Sequence, residues 1–86
     1  MEIILTDEAQ NDLYRHKRSG NKGNMKKIEQ LLQVIASNPF NGIGQPEELK
    51  YDLSGKWSRR ISLEHRLVYS VHNEVIYIES LWGHYK

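Results

Sequence analysis

The spacing of apolar side chains changes midway along the chain, and this change constrains the fold more than any other feature. Between residues 25 and 35 the apolar positions recur at helical spacing and form one face of a helix: Met25, Ile28, Leu31, Leu32 and Ile35. Asn38-Pro39 ends this helix, because the residue before a proline avoids helical backbone angles. A loop at residues 38–48 follows, and beyond it the pattern is that of strands.

Shorter patterns complete the prediction of secondary structure. Residues 2–5 form an apolar run that predicts a first strand. Thr6 followed by two acids is typical of a helix start, and that helix is expected to extend to about Arg18. Four strands are predicted beyond residue 48, at residues 49–53, 56–63, 66–72 and 74–81.

These elements predict an α+β fold in the order β-α-α-β-β-β-β. Two helices would pack on one face of a mainly antiparallel sheet, and the other face would be open. A tight turn at His72-Asn73 makes the last two strands antiparallel neighbours. The basic stretch that contains the middle strands would then cross the open face.

Size and composition exclude several classes of protein. The 86 residues are expected to form one domain, residues 1–86. The absence of cysteine excludes disulfides, thiolate nucleophiles and cysteine metal sites, and agrees with a cytoplasmic location. No run resembles a signal peptide or a membrane span, so no membrane association is expected. The four histidines lack the spacing of metal ligands, and no cofactor is expected.

The net charge of +1 conceals a strong segregation of charge. Residues 1–12 carry four acids and no Lys or Arg, whereas residues 15–27 carry six basic residues and no acid, which favours an anionic partner. A second basic surface is predicted where five cations outnumber two acids: Lys50, Lys56, Arg59, Arg60 and Arg66 against Asp52 and Glu64. With Trp57, this surface suits RNA, although a solvated sheet edge and a core tryptophan fit equally well.

Several side chains predicted near the open face could cleave RNA without a metal. The 2′-hydroxyl attacks the adjacent phosphate when a base takes its proton, a cation stabilises the phosphoryl oxygens and an acid protonates the leaving oxygen. The chain offers such groups at a loop, within a strand and past the last strand: Glu47 or Glu48, Lys50, Arg66, His84 and Tyr85. Each also fits a plainer interpretation, as a loop acid, a surface ion-pair partner or a terminal tail.

The other three histidines are not expected to take part in the chemistry. His16 and His72 are predicted to lie on the surface, and His65, next to Arg66, is predicted to orient a neighbour. From the residues alone, RNA cleavage is therefore one of several open hypotheses.

Four motifs occur in order between residue 38 and the end of the chain. They are Asn-Pro-Phe-Asn-Gly-Ile-Gly-Gln-Pro-Glu-Glu-Leu-Lys at residues 38–50, Leu-Ser-Gly-Lys-Trp-Ser-Arg-Arg-Ile at residues 53–61, Glu-His-Arg-Leu-Val-Tyr at residues 64–69, and His84-Tyr85. Together they resemble the motifs of the YoeB (Txe/YoeB) toxins of the RelE superfamily, and the helical first half agrees in layout. The resemblance implies a microbial RNase-like fold and a bacterial endoribonuclease that cleaves mRNA in the ribosomal A site and inhibits translation.

The resemblance also implies a role for each matching residue. Glu47 would be the general base, Arg66 would stabilise the phosphate and His84 would be the general acid. Tyr85 would orient the substrate. Because Glu48 stands where the family commonly has proline or a small residue, Glu47 and Glu48 could exchange roles. The RNA backbone would be held by basic residues of the same motifs: Lys50, Arg59 and Arg60.

The partners implied by the resemblance are a cognate antitoxin of the YefM/Phd-like kind, the 70S ribosome with its mRNA, and a second copy of the chain in a homodimer. Two other functions stay open. One is inhibition of DNA gyrase by a ParE-like toxin of the same superfamily, and the other is a non-catalytic module that binds RNA or protein. A set of acid, cation and histidine favours the nuclease, since a gyrase inhibitor has no need for one.

Overall fold

The computed structural model of the protein describes residues 1–83. Two helices pack on one face of a five-stranded sheet, which confirms the predicted fold class. The helices and strands in chain order are β1 (Glu2–Leu5), α1 (Asp7–Ser19), α2 (Lys22–Ser37), β2 (Glu47–Glu48), β3 (Lys56–Arg60), β4 (Arg66–His72) and β5 (Val75–Ser80).

Side-chain caps determine where the two helices begin. The hydroxyl of Thr6 accepts a hydrogen bond from the Ala9 N–H at 3.1 Å, as the sequence predicts for the start of α1. The side chain of Asn21 caps α2 in the same way, accepting from the Asn24 N–H at 2.9 Å. Because of this cap, Asn24 and the glycine before it lie in the first turn of α2.

The sheet has the order β1-β5-β4-β3-β2. β1 runs parallel to β5 and every other neighbouring pair is antiparallel, so the sheet is mainly antiparallel as predicted. β4 and β5 are hairpin neighbours, and the two turn residues are Asn73 and Glu74, both with positive φ, one position later than predicted.

The predicted strand at residues 49–53 is wrong. The chain pairs with β3 two residues earlier, at Glu47 and Glu48, and a short 3₁₀ helix occupies Tyr51–Leu53. The left-handed backbone of Tyr51, with φ of +58°, interrupts the extended conformation there. β3 also ends at Arg60 instead of residue 63, because the chain turns back there and the Ile61 N–H donates to the His65 carbonyl.

The core lies between the helices and the sheet. Both helices contribute buried side chains to it, and the rest come from β4, from β5 and from the residues that directly follow β3 and β5: Ala9, Ile28, Leu31, Ile35, Ile61, Leu67, Tyr69, Ile76, Ile78 and Leu81. His16 is fully buried on the same side of α1, so its predicted surface position is wrong. Among residues 1–83, no helix has the length and apolar character required to cross a membrane.

Candidate active site

Strand register separates the middle strands into two faces with different chemistry. Residues alternate between faces along a strand, and cross-strand partners share a face. Glu47 is opposite Ser58, and Arg60 is opposite Arg66. These four residues therefore share the face that points away from the helices, which we call the open face.

Arg66 is the central residue of this arrangement. It is nearly buried, at 8% exposure. Its Nε donates to the Ser58 hydroxyl at 3.1 Å, and one terminal nitrogen lies 3.8 Å from a carboxylate oxygen of Glu47. The Glu47 side chain is 57% exposed, so the pair combines a fixed cation with a carboxylate that solvent can reach.

The two neighbouring glutamates lie on different faces. Glu48 is opposite Trp57 in the ladder, one position along from Glu47, and therefore points to the helix side of the sheet. Glu47 therefore lies beside Arg66, whereas Glu48 lies on the other face of the sheet.

The structure corrects the predicted placement of Trp57 and Arg59. Both were expected on the open face with Arg60, but alternation along β3 turns them to the opposite side. Trp57 is partly buried against the core, with its ring 5.0 Å from that of Phe40. Arg59 is fully buried, at 0% exposure. Of the residues predicted to contact RNA from β3, Arg60 alone is exposed on the open face.

Arg59 holds the loop that leads to Glu47. Its guanidinium donates to three loop carbonyls, those of Asn38 at 2.5 Å, Asn41 at 2.9 Å and Ile43 at 3.0 Å. Its Nε donates to the Tyr69 hydroxyl at 3.1 Å. The fully buried guanidinium needs such partners, because an unpaired charged group inside a protein is costly.

The same anchor depends on a protonated tyrosine and on a glycine. Burial raises the pKa of the Tyr69 phenol above its ordinary value of 10.0, and the hydrogen bond and charge from Arg59 offset this only in part. The phenol therefore keeps its proton and donates it to the Pro39 carbonyl at 2.5 Å. Gly44 has a φ of +85°, and a Cβ there would lie 2.8 Å from Leu31, so only glycine fits this close approach.

A shallow cleft beside Glu47 adds two further groups. Residues 47–53 line a space of about 500 Å³, which brings Lys50 to the same cleft as Glu47. Tyr51 lines it as well and is 92% exposed. Sequence reasoning missed Tyr51, since its exposure depends on the unexpected 3₁₀ turn. It also missed Ser58. Once Arg60 is known to pair with Arg66, Ser58, two residues earlier on β3, is expected on the same face as Arg66.

His84 and Tyr85 lie outside the described residues. Gly83, which precedes His84, is bonded to the site through its backbone: its carbonyl accepts from the Arg66 N–H at 3.0 Å. Its own N–H donates to Nδ1 of His65 at 2.8 Å, so His65 orients a neighbour, in agreement with the prediction.

A second polar group lies on the open face beyond the site. Glu79 accepts from Lys56 at 2.8 Å and from the Ser70 hydroxyl at 2.7 Å. Burial alone would raise the pKa of Glu79, but these hydrogen bonds and the charges of Lys56 and His72 outweigh it and lower the pKa. Within residues 1–83, no three or more His, Asp or Glu side chains are grouped so that they could hold a metal ion.

A protein-family comparison establishes the family. The model for "YoeB-like toxin of bacterial type II toxin-antitoxin system" matches residues 5–85. The chain belongs to this YoeB-like toxin family. A toxin YoeB from Synechocystis sp. is 44% identical over 86 residues, covering 100% of this chain and 99% of the relative. The chain is thus a toxin of a type II toxin–antitoxin system, with a RelE-like fold.

Solved structures of YoeB toxins agree with this fold. A YoeB/ParE toxin from Agrobacterium tumefaciens superposes with a TM-score of 0.92 at 34% identity, covering 99% of this chain and 100% of that one. YoeB from Staphylococcus aureus, 42% identical, is known in a heterotetrameric complex with YefM and as a dimer, with TM-scores of 0.84 and 0.85. Each match covers 99% of this chain and 98% of the S. aureus chain.

Proposed function

We propose that this YoeB-family toxin is a ribosome-dependent endoribonuclease that cleaves mRNA in the ribosomal A site and thereby inhibits translation. The observation that carries the proposal is the convergence of Glu47 and Arg66 on the open face, 3.8 Å apart. Such a pair has little value for stability alone, because one partner is largely solvated and exposed ion pairs contribute about 0–1 kcal/mol. It does provide a carboxylate and a fixed cation at one accessible point.

The proposed reaction transfers two protons and exchanges one bond for another. Glu47 takes the proton of an mRNA 2′-hydroxyl, and the oxygen attacks the adjacent phosphorus. The bond from phosphorus to the 5′-oxygen breaks while His84 protonates that oxygen, leaving a 2′,3′-cyclic phosphate and a 5′-hydroxyl. Arg66 stabilises the negative charge that develops on the phosphoryl oxygens.

The rigidity of Arg66 supports its role as the stabilising cation. A charged donor lowers a barrier most when it is already in place and needs no reorganisation during the reaction. The hydrogen bond from Nε to Ser58 and the low exposure of the side chain meet this condition. The backbone bond between Gly83 and Arg66 supports a role for His84, the next residue in the chain.

The exposed groups around this pair are suited to binding RNA. Lys50 and Arg60 would neutralise phosphates of the mRNA or ribosomal RNA, and Tyr85 would orient the reacting nucleotide. Tyr51, an exposed ring beside Lys50, would offer a surface for a base to stack on. Trp57 and Arg59 are left out of this interface because of their position on the helix side.

The proposed partners follow from the same function. A YefM-like antitoxin is the proposed partner, because the S. aureus toxin forms a complex with YefM. Binding over the open face would block access of RNA. A homodimer is proposed from the dimeric S. aureus toxin. Action on ribosomes would place the toxin in the cytoplasm.

Primer extension on an mRNA bound to purified 70S ribosomes tests the proposal. We expect the wild type to cut near the A-site codon, leaving a 5′-hydroxyl end, and His84→Ala to lose the cut while still binding antitoxin. A cut that is unchanged in His84→Ala would keep the nuclease and reject its general acid. No cut by the wild type on ribosomes that a known A-site nuclease does cut would reject the proposal. Supercoiling assays would then test the ParE-like alternative on DNA gyrase.

A further inference from the structure

Two buried polar side chains on α1 bind the backbone of one distant residue. Asp12 and His16 are four residues apart and therefore lie on the same side of the helix. The Leu81 N–H donates to Oδ2 of Asp12 at 2.9 Å, and the Leu81 carbonyl lies 2.7 Å from Nε2 of His16. Because a carbonyl oxygen only accepts, Nε2 must carry the hydrogen. Asp12 and His16 thus clamp the chain at the residue after β5.

This arrangement has a cost in free energy, because it buries a second polar atom of His16. Nδ1 of His16 is buried and has no hydrogen-bond partner among the residues that the structure describes. Buried polar atoms are nearly always paired, so an unpaired one requires an explanation. An apolar side chain at position 16 would avoid this cost but would leave the Leu81 carbonyl without its donor. The histidine is therefore better explained by the bond to Leu81 than by packing.

The two residues after Leu81 are also held by specific contacts. The ring of Trp82 packs against His16 and His65, with centroids 4.7 Å and 4.2 Å apart, and the Arg15 guanidinium lies 3.9 Å from its centre. Gly83 bonds to Nδ1 of His65 and to the Arg66 N–H, with a left-handed φ of +76°.

Such fixation is more than a segment beyond the last strand usually has. Segments after a last strand usually fray unless side chains tie them down. Here residues 81–83 are held by side chains of α1 and by His65, and the last of them is bonded to Arg66, the cation of the proposed site.

We propose that Asp12 and His16 are positioning residues, which fix the exit of the chain from β5 and hold Gly83, the residue before the proposed general acid His84, against Arg66. This inference rests on the proposed nuclease function. Neither residue touches the substrate, and their effect is on the rate of the chemical step, because a small misplacement of a reacting group can cost on the order of a hundredfold.

Single-turnover cleavage of ribosome-bound mRNA tests the role through matched variants. We expect Asp12→Ala to lower the maximal rate about 10- to 100-fold with half-saturating ribosome concentration changed less than about twofold. Asp12→Asn keeps an acceptor for the Leu81 N–H and should stay within about threefold of wild type. His16→Gln keeps a donor and should retain more activity than His16→Leu.

Two controls separate positioning from general stability. Ile28→Val, in the core of α2, destabilises the fold but removes none of the groups that bond to residues 81–83, and should leave the rate unchanged. Amide hydrogen exchange should speed up at Leu81 and Gly83 in Asp12→Ala, but not at core amides of α2. This second measurement is informative even for a variant whose nuclease activity is too low to detect.

The outcomes distinguish this inference from the proposed function. Wild-type cleavage with full activity in Asp12→Ala, or an equal loss in Ile28→Val, would reject the positioning role and leave the nuclease. A loss in Asp12→Ala that Asp12→Asn does not restore would also contradict the hydrogen-bond clamp. Absence of cleavage by the wild type would reject the nuclease function and the positioning role with it.

Discussion

Arg59 and Arg66 lie on adjacent strands and are both buried, yet they belong to opposite faces of the sheet and differ in what they bind. Arg59 points toward the helices, and its donors bind three carbonyls of the loop before Glu47 and one phenol. Arg66 points away from the helices and contacts a hydroxyl and a solvated carboxylate. Arg59 therefore holds the loop that leads to Glu47, whereas Arg66 is itself part of the proposed active site.

The largest expected effect comes from substituting Arg66. Arg66→Ala should lower the rate of mRNA cleavage roughly 10²–10³-fold, because the preorganised cation for the phosphoryl oxygens is lost. Arg66→Lys keeps the charge but loses the planar fork, and should recover only part of the rate. Single-turnover assays on ribosome-bound mRNA measure both. Full activity of Arg66→Ala would remove this arginine from the chemistry.

Substituting Arg59 should instead reduce the stability of the fold. Arg59→Leu removes the charged donors that bind the three loop carbonyls and the Tyr69 phenol, and we expect the free energy of unfolding to fall by about 2–4 kcal/mol. Urea denaturation measures this change. The neighbouring Arg60→Ala, at an exposed position, is the control and should change stability by less than about 0.5 kcal/mol. Equal effects of the two substitutions would contradict the assignment of Arg59 to the loop anchor.

A smaller loss is expected from the phenol that assists Arg59. Tyr69→Phe removes the hydroxyl that donates to Pro39 and accepts from Arg59, while the ring stays in the core. We expect a loss of about 1–2 kcal/mol in the free energy of unfolding. If thermal and urea unfolding of this variant matched the wild type, the hydroxyl would have no part in holding the loop.

The smallest effect concerns the second polar group of the open face and depends on pH. The pKa of Glu79 is lower in the folded protein than its ordinary value of 4.5, so its contribution is present above that value and is lost as pH falls through the folded pKa. Because the pair with Lys56 is partly exposed, we expect Glu79→Gln to cost about 0.5 kcal/mol near neutral pH. The difference from wild type should shrink at about pH 3, as urea denaturation at the two pH values would show.

The sequence predicted the fold class well because its signals are local and repeated. The apolar spacing from Met25 to Ile35 and the cap at Thr6 follow from short-range rules, and the structure confirms both helices. The strands at residues 49–53 and 56–63 were less accurate, since the left-handed backbone of Tyr51 and the turn after Arg60 depend on tertiary contacts.

Which face a residue occupies could not be predicted for the basic stretch. A shift of one residue in register moves every side chain of a strand to the other face, so Arg59 and Arg60 could not be distinguished by sequence alone. The burial of His16 was missed for a similar reason, because its partner, the Leu81 carbonyl, is 65 residues away. The roles of Glu47, Arg66 and His84 were predicted only because their motifs resemble those of the family.

The most direct test of the two-face account compares Glu47→Gln with Glu48→Gln in the same single-turnover cleavage assay. The two substitutions are chemically identical and adjacent in the chain, and they differ only in the face of β2 on which they fall. The account predicts a loss of roughly 10²–10⁴-fold for Glu47→Gln, the usual contribution of acid–base catalysis, and little change for Glu48→Gln. The reverse result, or equal losses, would contradict the assignment of the open face as the site of RNA cleavage.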